Sequence, residues 1–300
     1  MRFRAWVKTG LEVLRDPRYR YYYAQRRIRR ISLRDFLARR IAAKLPQTEL
    51  PAPAEARCLD RDGILFVPDL LAPEEIAAMR DHFLRKPSHD PYRPELGEFH
   101  GPGSVPAETH IAFFGTEAIV DAPFALKAAN DQRVLAAVGV ILGAKPTISY
   151  LAAWWSVPAS GEAEHAELYH RDFDDLRFIK LFLYLTDVDA ESGPHIFVRA
   201  SHKKNRLFRR RRFSAAEVER IFPEGDRLKL KGKAGTAFLE NTSGLHRGLP
   251  PISKPRLMFQ VLYSLKPFVG GPPTPLRTVP RRFEGRLLDP YINRAYWRLV

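Results

Sequence analysis

A His-x-Asp pair and a distant histidine are the residues of this 300-residue chain whose types best suit metal chemistry. His170 and Asp172 are two positions apart, and on an extended strand such residues project to the same side, so imidazole and carboxylate can converge on one ion. His246, which follows a predicted strand at 235–239, can supply a third ligand. Two neutral nitrogens and one carboxylate oxygen suit iron(II) and leave the opposite coordination positions open. The pattern predicts a mononuclear non-haem iron site.

Two basic residues on predicted strands suit an anionic cosubstrate. Arg256 lies ten residues after His246, and its guanidinium fork can hold a carboxylate bidentately, although a structural ion pair is the plain alternative. Lys180 interrupts the apolar run 178–185 and shares a strand face with Phe182. A lysine that faced the interior would need an anion, which would be the cosubstrate, the substrate or a buried Asp or Glu.

The other candidate contacts lie near a stretch rich in Pro, Gly and His at 87–106, which predicts a loop that covers the site. His100 and His110 bracket this loop and are, with Phe182, candidate substrate contacts. His195 and His202 flank one short predicted strand. We expect these last two to support packing.

The elements that must position these residues are mostly strands in the second half of the chain. Short β-branched and aromatic runs, separated by turn residues, indicate strands. They fall at 147–157, 178–185, 196–198, 235–239 and 257–265. Several strands without intervening helices predict a double-sheet jelly roll or barrel, whose strand ends often carry a metal. With helices predicted at 73–85 and 124–142, the fold class is mainly β with flanking helices (α+β).

Composition shifts divide the chain into segments. Residues 1–45 predict a basic helical N-terminal extension, interrupted by Pro17, and residues 46–56 a Pro/Ala linker. The oxygenase domain is predicted at 57–266, with a basic and helical insertion at 203–223, and a C-terminal tail follows at 267–300. Ser214 and Glu217 have capping-box spacing within that insertion.

Cysteine and hydropathy limit the class of protein. The single cysteine, Cys58, excludes an intramolecular disulfide framework and a cysteine-rich metal cage. No apolar stretch reaches the roughly 18 to 20 residues of a spanning helix, and the charged N-terminus lacks the apolar core of a secretory signal. A cytoplasmic location is the expectation.

The net charge of +15 is concentrated in two segments. Residues 1–44 hold fourteen Lys/Arg and three acids, and residues 199–212 hold eight Lys/Arg and no acid, which leaves the rest mildly acidic. These segments favour an anionic partner, either an acidic protein or a membrane surface contacted peripherally. The plain alternative is a solvated face. No nucleic-acid-binding signature accompanies the charge, so no specific nucleic acid is expected.

Taken together, the motifs resemble the phytanoyl-CoA dioxygenase-like family of iron(II)/2-oxoglutarate-dependent oxygenases. The resemblance covers roughly residues 57–266 and is carried by Tyr169 to Asp172, Glu191 to His195, Val198 to Lys203, Gly244 to Gly248, and Arg256. Two departures concern the segment after the third motif: Ala200 stands where the family usually has glycine, and a long basic insertion follows.

The resemblance implies a double-stranded β-helix (jelly roll, cupin-like) with His170, Asp172 and His246 as iron ligands. It implies Arg256 as the anchor of 2-oxoglutarate and a structural turn at Ser201 and His202. Dioxygen is then the oxidant, and a small-molecule or lipid-linked substrate is expected. Because a carboxylate ligand fills the position that related halogenases leave for chloride, hydroxylation is the expected outcome, with desaturation or ring formation still open.

Two other classes of protein use parts of the same pattern. A catalytically inert barrel could act as a binding or scaffold protein, recruited by its basic segments to anionic partners. A zinc hydrolase could use two histidines and one aspartate but has no need of Arg256. The complete ligand set and the arginine favour the oxygenase.

Overall fold

The computed structural model describes residues 16–300, so the helix predicted before Pro17 lies outside the described residues. The helices are α1 (Arg18–Gln25), α2 (Ile31–Ala42), α3 (Ala56–Asp62), α4 (Pro73–Leu84), α5 (Thr116–Val120), α6 (Ala125–Ala129), α7 (Gln132–Leu142), α8 (Ala215–Glu219) and α9 (Pro290–Asn293). Over residues 16–300, none of these helices has the length and apolar character required to cross a membrane.

Fifteen strands occur in the described part of the chain. They are β1 (Ile64–Phe66), β2 (Pro87–His89), β3 (Glu98–His100), β4 (Ile111–Phe114), β5 (Thr147–Ser156), β6 (Phe178–Tyr184), β7 (His195–Val198), β8 (Arg227–Leu230), β9 (Ala237–Glu240), β10 (His246–Gly248), β11 (Arg256–Ser264), β12 (Arg277–Val279), β13 (Arg282–Phe283), β14 (Arg286–Leu287) and β15 (Trp297–Leu299). The five strands that the sequence predicts are all present, with ends shifted by one or two residues.

Two facing sheets form the body of the molecule. The major sheet has eight antiparallel strands in the order β1-β9-β6-β11-β5-β4-β2-β3, and the minor sheet has three in the order β10-β7-β8. Strands that are distant in sequence are neighbours in the major sheet, as jelly-roll crossovers require. This arrangement confirms the predicted fold class.

Both faces of the major sheet are covered. This explains why polar and apolar residues do not alternate along its central strands. Every residue of β6 and β11 is buried. Helix α7, whose Asp131 cap accepts the backbone N–H groups of Arg133 and Val134, packs with the other helices on the outer face. Between the sheets lies a smaller apolar cluster that includes Phe182, Phe197 and Phe238. Polar residues that point between the sheets therefore lie in an apolar surrounding.

The stretch 87–106 is a loop only in part, because it contains two short strands that its composition does not predict. Residues Pro87–His89 and Glu98–His100 form β2 and β3, which extend the major sheet at the edge next to β4. Buried side chains at alternate positions, Ser88 and Phe99, hold the two short strands in place. Glycine and proline remain at the turns between them, which is the signal that suggested a loop.

The N-terminal helices and the C-terminal segment pack into the same core as the sheets. Ala38 and Ala42 of α2 are buried in the main cluster, and so are Tyr296 and Trp297 near the C-terminus. The Tyr296 hydroxyl accepts a hydrogen bond from the backbone of Leu151 in the middle of β5 (2.9 Å). The N-terminal extension and the C-terminal tail, which composition separates from the domain, thus share its hydrophobic core.

The basic insertion is fixed to the body by Arg171, the residue between the two members of the His-x-Asp pair. Its buried guanidinium donates to the carbonyls of Ser201, Lys204, Arg206, Leu207 and Ser243. The capping box predicted at Ser214 and Glu217 is present at the start of α8. Arg171 therefore places residues 199–212 beside the candidate metal ligands.

The structural turn implied at Ser201 is present as well. Ser201 Oγ donates to the carbonyl of Val198 (2.6 Å) and accepts the backbone N–H of Leu245 (2.7 Å). Ala200 has φ 54°, in the left-handed region that favours glycine. The backbone conformation thus explains why related proteins have glycine at this position.

Candidate metal centre

The backbone brings the His-x-Asp pair and His246 together through a short antiparallel bridge. The backbone N–H of His170 donates to the carbonyl of His246 (2.9 Å), and the reverse bond is 3.0 Å. The N–H of Asp172 donates to the carbonyl of Thr242 (2.9 Å). Since residues paired across strands place their side chains on the same face, all three candidate ligands point to one spot.

The three side chains form the compact group that a mononuclear site needs. One ligand atom from each of His170, Asp172 and His246 lies within 4.8 Å of the other two. Nε2 of His170 is 3.7 Å from Oδ1 of Asp172, and Nε2 of His246 is 3.4 Å from Oδ2. Adjacent ligands at about 2.1 Å from an ion are roughly 3 Å apart, so small side-chain shifts suffice to close the group around a metal.

The hydrogen bonds of the two imidazoles leave the correct nitrogens for a metal. Nδ1 of His170 donates to the carbonyl of Leu168 (2.9 Å), and Nδ1 of His246 donates to the carbonyl of Gly244 (3.0 Å). The Nε2 of each ring faces Asp172 and is the nitrogen that remains for a metal. A metal-binding histidine is commonly oriented in this way by a carbonyl on its other nitrogen.

The pKa shifts of His170 and Asp172 favour the neutral imidazole and the ionised carboxylate, which are the forms that bind a metal. Burial, and then the neighbouring His246, lowers the pKa of His170 well below its usual value. For Asp172, burial acts to raise the pKa, but the charges of Lys180 and His246 outweigh it and hold the pKa well below the usual range. A neutral imidazole beside a carboxylate is the donor set that iron(II) takes up without releasing protons.

Lys180 faces the interior and is paired with aspartates. Its Nζ lies 2.7 Å from Oδ2 of Asp172 and 2.9 Å from Oδ2 of Asp174. Although burial lowers the pKa of Lys180, the two carboxylates outweigh it and raise the pKa above its usual value. Of the three anions left open by the sequence, the structure therefore provides the buried Asp. Lys180 also lines the cavity that holds Arg256, so direct contact with the cosubstrate stays a prediction.

Arg256 lies across the same cavity from the candidate ligands. The cavity, here called the metal cavity, has a volume of about 240 Å³ and is lined by His170, Asp172, Lys180, His195, His246 and Arg256 together with mainly apolar side chains. Arg256 is 3% exposed, and its Nη2 donates to Ser156 Oγ (3.0 Å). Nε and Nη1 are buried without any hydrogen-bond partner among residues 16–300. Buried guanidinium donors without a hydrogen-bond partner favour the binding of an anion.

His195 and Glu240 are polar residues of this cavity region that sequence reasoning missed as functional. His195 Nε2 is 2.9 Å from Glu240 Oε2, but the angle is too poor for a hydrogen bond, so neither atom has another partner within residues 16–300. Burial raises the pKa of Glu240 to about 8, and burial followed by the charge of Arg256 lowers that of His195 to about 3. Both groups are thus neutral at pH 7. Cross-strand register, which the sequence does not show, creates this pair.

The candidate substrate contacts have different positions. Phe182 lines the metal cavity, with its ring centroid 5.1 Å from that of His195. His110 is buried outside the cavity, and its two ring nitrogens contact Glu167 (2.8 Å) and the carbonyl of Ser160 (3.2 Å). His100 is exposed on β3, the strand at the sheet edge. The segment between β2 and β3 does reach the metal cavity, through Tyr92, but neither histidine lies on that part of the stretch.

Comparison with known families decides the assignment. A sequence model described as phytanoyl-CoA dioxygenase (PhyH) matches residues 59–255. The chain belongs to this family. The resemblance read from the sequence is thereby confirmed, and so is its consequence: this phytanoyl-CoA dioxygenase family member is a non-haem iron, 2-oxoglutarate-dependent oxygenase that acts on a small molecule, with dioxygen as the oxidant. The alternative of a catalytically inert binding protein is not favoured.

Solved structures agree with the fold of this family member. EctD from S. alaskensis with bound Fe has a TM-score of 0.50 at 16% identity, over 85% of this chain and 90% of that one. The epimerase SnoN from nogalamycin biosynthesis has a TM-score of 0.48 at 20% identity (70% and 81% covered). HygX from Streptomyces hygroscopicus, with nickel, 2-oxoglutarate and hygromycin B bound, has 0.49 at 15% identity (71% and 87%). No curated protein matches the sequence.

Proposed function

We propose that this family member hydroxylates a small-molecule substrate, with His170, Asp172 and His246 as the ligands of iron(II). The observation that carries the ligand assignment is the convergence of these three side chains with both Nε2 atoms free and directed at Asp172. Two nitrogens and one oxygen on one face of the ion leave three positions for the cosubstrate and dioxygen. Iron and 2-oxoglutarate, when bound, convert dioxygen to the oxidant and release succinate and CO2.

Arg256 would bind the distal carboxylate of 2-oxoglutarate. Its two unpartnered donors, Nε and Nη1, support this role because a buried guanidinium without an anion is costly. The Ser156 hydroxyl accepts a hydrogen bond from Nη2, the third nitrogen of Arg256, and so fixes the orientation of the guanidinium. The keto acid at the other end of the molecule would then reach the iron across the metal cavity.

Other residues of the chain orient the ligands and exclude water. Lys180 contacts the Oδ2 of Asp172 and restrains that carboxylate, so the ligand has less freedom to rotate or to bind through both oxygens. Phe182 and Met258 provide apolar walls to the cavity, which keep bulk water from the oxidised intermediate states of the reaction. Asp172 as a ligand also supports hydroxylation over halogenation.

The experiment that tests this proposal follows succinate and product together. Succinate is measured in air with the iron-loaded protein and 2-oxoglutarate, first alone and then with a library of small anionic compounds. The mass of each candidate product is then measured by mass spectrometry after reaction under ¹⁸O₂. Hydroxylation predicts succinate above the level of Asp172→Ala and a product that gains one labelled oxygen. A product that loses two hydrogens or changes configuration without gaining oxygen would contradict hydroxylation.

The remaining expectations stay predictions. A cytoplasmic location, and contact of residues 1–44 or 199–212 with a membrane surface or acidic partner, depend on charge alone. Part of the second segment has another neighbour in the fold, because Arg210, Arg211 and Arg212 line a cavity next to Asp172.

A further inference from the structure

A second cavity adjoins the metal cavity and is lined mainly by arginines. It has a volume of about 280 Å³, shares Asp172 with the metal cavity, and is called here the arginine cavity. Five of its eight lining residues are Arg26, Arg171, Arg210, Arg211 and Arg212. The carboxylates among the other three are Asp172 and Asp174, so positive charge exceeds negative charge at this opening.

Two of the five arginines are already engaged by the protein. Arg171 donates to five backbone carbonyls and holds the insertion in place. Arg211 forms an ion pair with Glu217 (2.5 Å). The two aspartates are engaged as well, because both contact Lys180. Lys180 offsets only one of the two aspartate charges, and Asp174 also acts on Arg26. The five arginines and Lys180 therefore exceed Asp172, Asp174 and Glu217 by three positive charges.

Arg26, Arg210 and Arg212 form no ion pair at contact distance among residues 16–300, and Asp174 acts on Arg26 only at longer range. Arg26 donates from Nη1 to the Tyr22 hydroxyl (2.5 Å), while its Nε is buried without a hydrogen-bond partner. Arg210 is close enough to Arg26 that, after burial, its charge contributes to lowering the pKa of Arg26. Three guanidinium groups that repel one another around a cavity are stabilised when an anion enters.

We propose that the arginine cavity binds a phosphoryl-type dianion of the substrate through Arg26, Arg210 and Arg212. Three unneutralised positive charges match a dianion better than a single carboxylate, and guanidinium forks hold the tetrahedral oxygens of such a group in pairs. The inference rests on the proposed function, because it treats the occupant as one end of the oxygenase substrate.

The position of the two cavities side by side is the reason to assign the anion to the substrate. Asp172 lines both cavities, so the arginine cavity lies directly beside the candidate iron site, and an anionic end bound there would be next to the reacting part of a substrate. Arg212 lies close to the same site, since it lines the arginine cavity together with Asp172. Anchoring a distant charged group is an efficient way to position the reacting carbon.

Inorganic phosphate is the probe for this site. The protein is loaded anaerobically with iron(II) and saturating 2-oxoglutarate, which fills the metal cavity, and phosphate or acetate is titrated by calorimetry at low ionic strength. Phosphate binding that is lost or weakened by about tenfold or more in Arg210→Gln/Arg212→Gln is the expected result, with further weakening in Arg26→Gln. Acetate is expected to bind much more weakly than phosphate.

The matched control is Arg29→Gln/Arg220→Gln, which removes the same charge from two exposed arginines outside both cavities. It is expected to keep phosphate affinity within about twofold. Equal weakening in both double variants, acetate binding as tight as phosphate, or no phosphate binding by the wild type would overturn the site.

The visible band of the iron–2-oxoglutarate complex is recorded on the same samples. A normal band without phosphate binding overturns the anion site alone. An absent band in the wild type overturns the proposed function, whatever phosphate does.

Discussion

The metal cavity and the arginine cavity meet at Asp172 but are built in opposite ways. In the metal cavity the candidate ligands are largely buried and are fixed: His170 and His246 are held by neighbouring carbonyls, and the partly buried Asp172 by Lys180. In the arginine cavity the free charges of Arg210 and Arg212 are exposed. The difference indicates that the first is organised before any ligand arrives, whereas the second becomes neutral only when an anion binds.

Removing a candidate iron ligand should have the largest effect. His246→Ala takes away one of two nitrogens of the group, and we expect iron(II) affinity to fall by more than about 100-fold, since even the outer partners of metal ligands contribute about tenfold to 100-fold. Anaerobic equilibrium dialysis measures this. His89→Ala, at an exposed histidine of β2, is the matched control and should bind iron as the wild type does. Equal iron binding by both variants would contradict the assignment.

Breaking the interior ion pairs should reduce stability. Lys180→Met leaves Asp172 and Asp174 facing each other without a cation, and removal of one partner from a buried pair costs about 3 kcal/mol in the free energy of unfolding. Urea unfolding of the metal-free protein measures the change. Lys254→Met removes an exposed pair with Asp189 and should leave the midpoint nearly unchanged. A similar midpoint for both variants would mean that the interior pairs contribute no more than surface ones.

Truncating Arg256, the proposed anchor of the cosubstrate, should weaken the binding of 2-oxoglutarate without changing the binding of iron. Arg256→Met removes the two unpartnered donors, and hydrogen bonds to a charged group contribute about 2 kcal/mol, or roughly 30-fold in Kd. Calorimetry of the iron-loaded protein under argon gives the Kd. Ser156→Ala, which removes only the hydroxyl partner of Arg256, should weaken binding less. If Arg256→Met bound 2-oxoglutarate as tightly as the wild type, another residue would have to anchor the carboxylate.

Glu240 should make the stability of the metal-free protein depend on pH. Its pKa is raised by burial from 4.5 to about 8 in the folded state, so the folded carboxyl keeps a proton that the unfolded chain has lost, and stability falls as pH rises through that window. Between pH 6.5 and 8 the contribution of this carboxyl is about 2 kcal/mol. Glu240→Gln should flatten this decline, whereas Arg210→Gln/Arg212→Gln should keep it. A decline unchanged in Glu240→Gln would contradict a buried protonated carboxyl.

The metal cavity was largely predictable from sequence because its residues follow local rules. His170 and Asp172 share a side through strand periodicity, and the place of Arg256 ten residues after His246 is part of the family pattern. The strands themselves were marked by apolar runs. Each of these patterns lies within a short stretch of sequence and can be recognised without the tertiary structure.

The rest depended on contacts between distant segments. Glu240 meets His195 only because β9 lies at a particular register in the major sheet opposite the minor sheet. The arginine cavity requires α1 and the insertion to approach each other, so its members, Arg26 and Arg210 to Arg212, are 184 positions apart at the nearest. The basic segments were visible in the sequence, but their common neighbour, Asp172, was not.

The most direct test of the account is an anaerobic titration of the iron(II)-loaded protein with 2-oxoglutarate, monitored by the weak visible metal-to-ligand charge-transfer band. The account predicts a band that saturates at one 2-oxoglutarate per iron, is absent in His246→Ala, and requires more 2-oxoglutarate in Arg256→Met. A wild-type protein that binds one iron and yet shows no band would contradict chelation of 2-oxoglutarate at His170, Asp172 and His246.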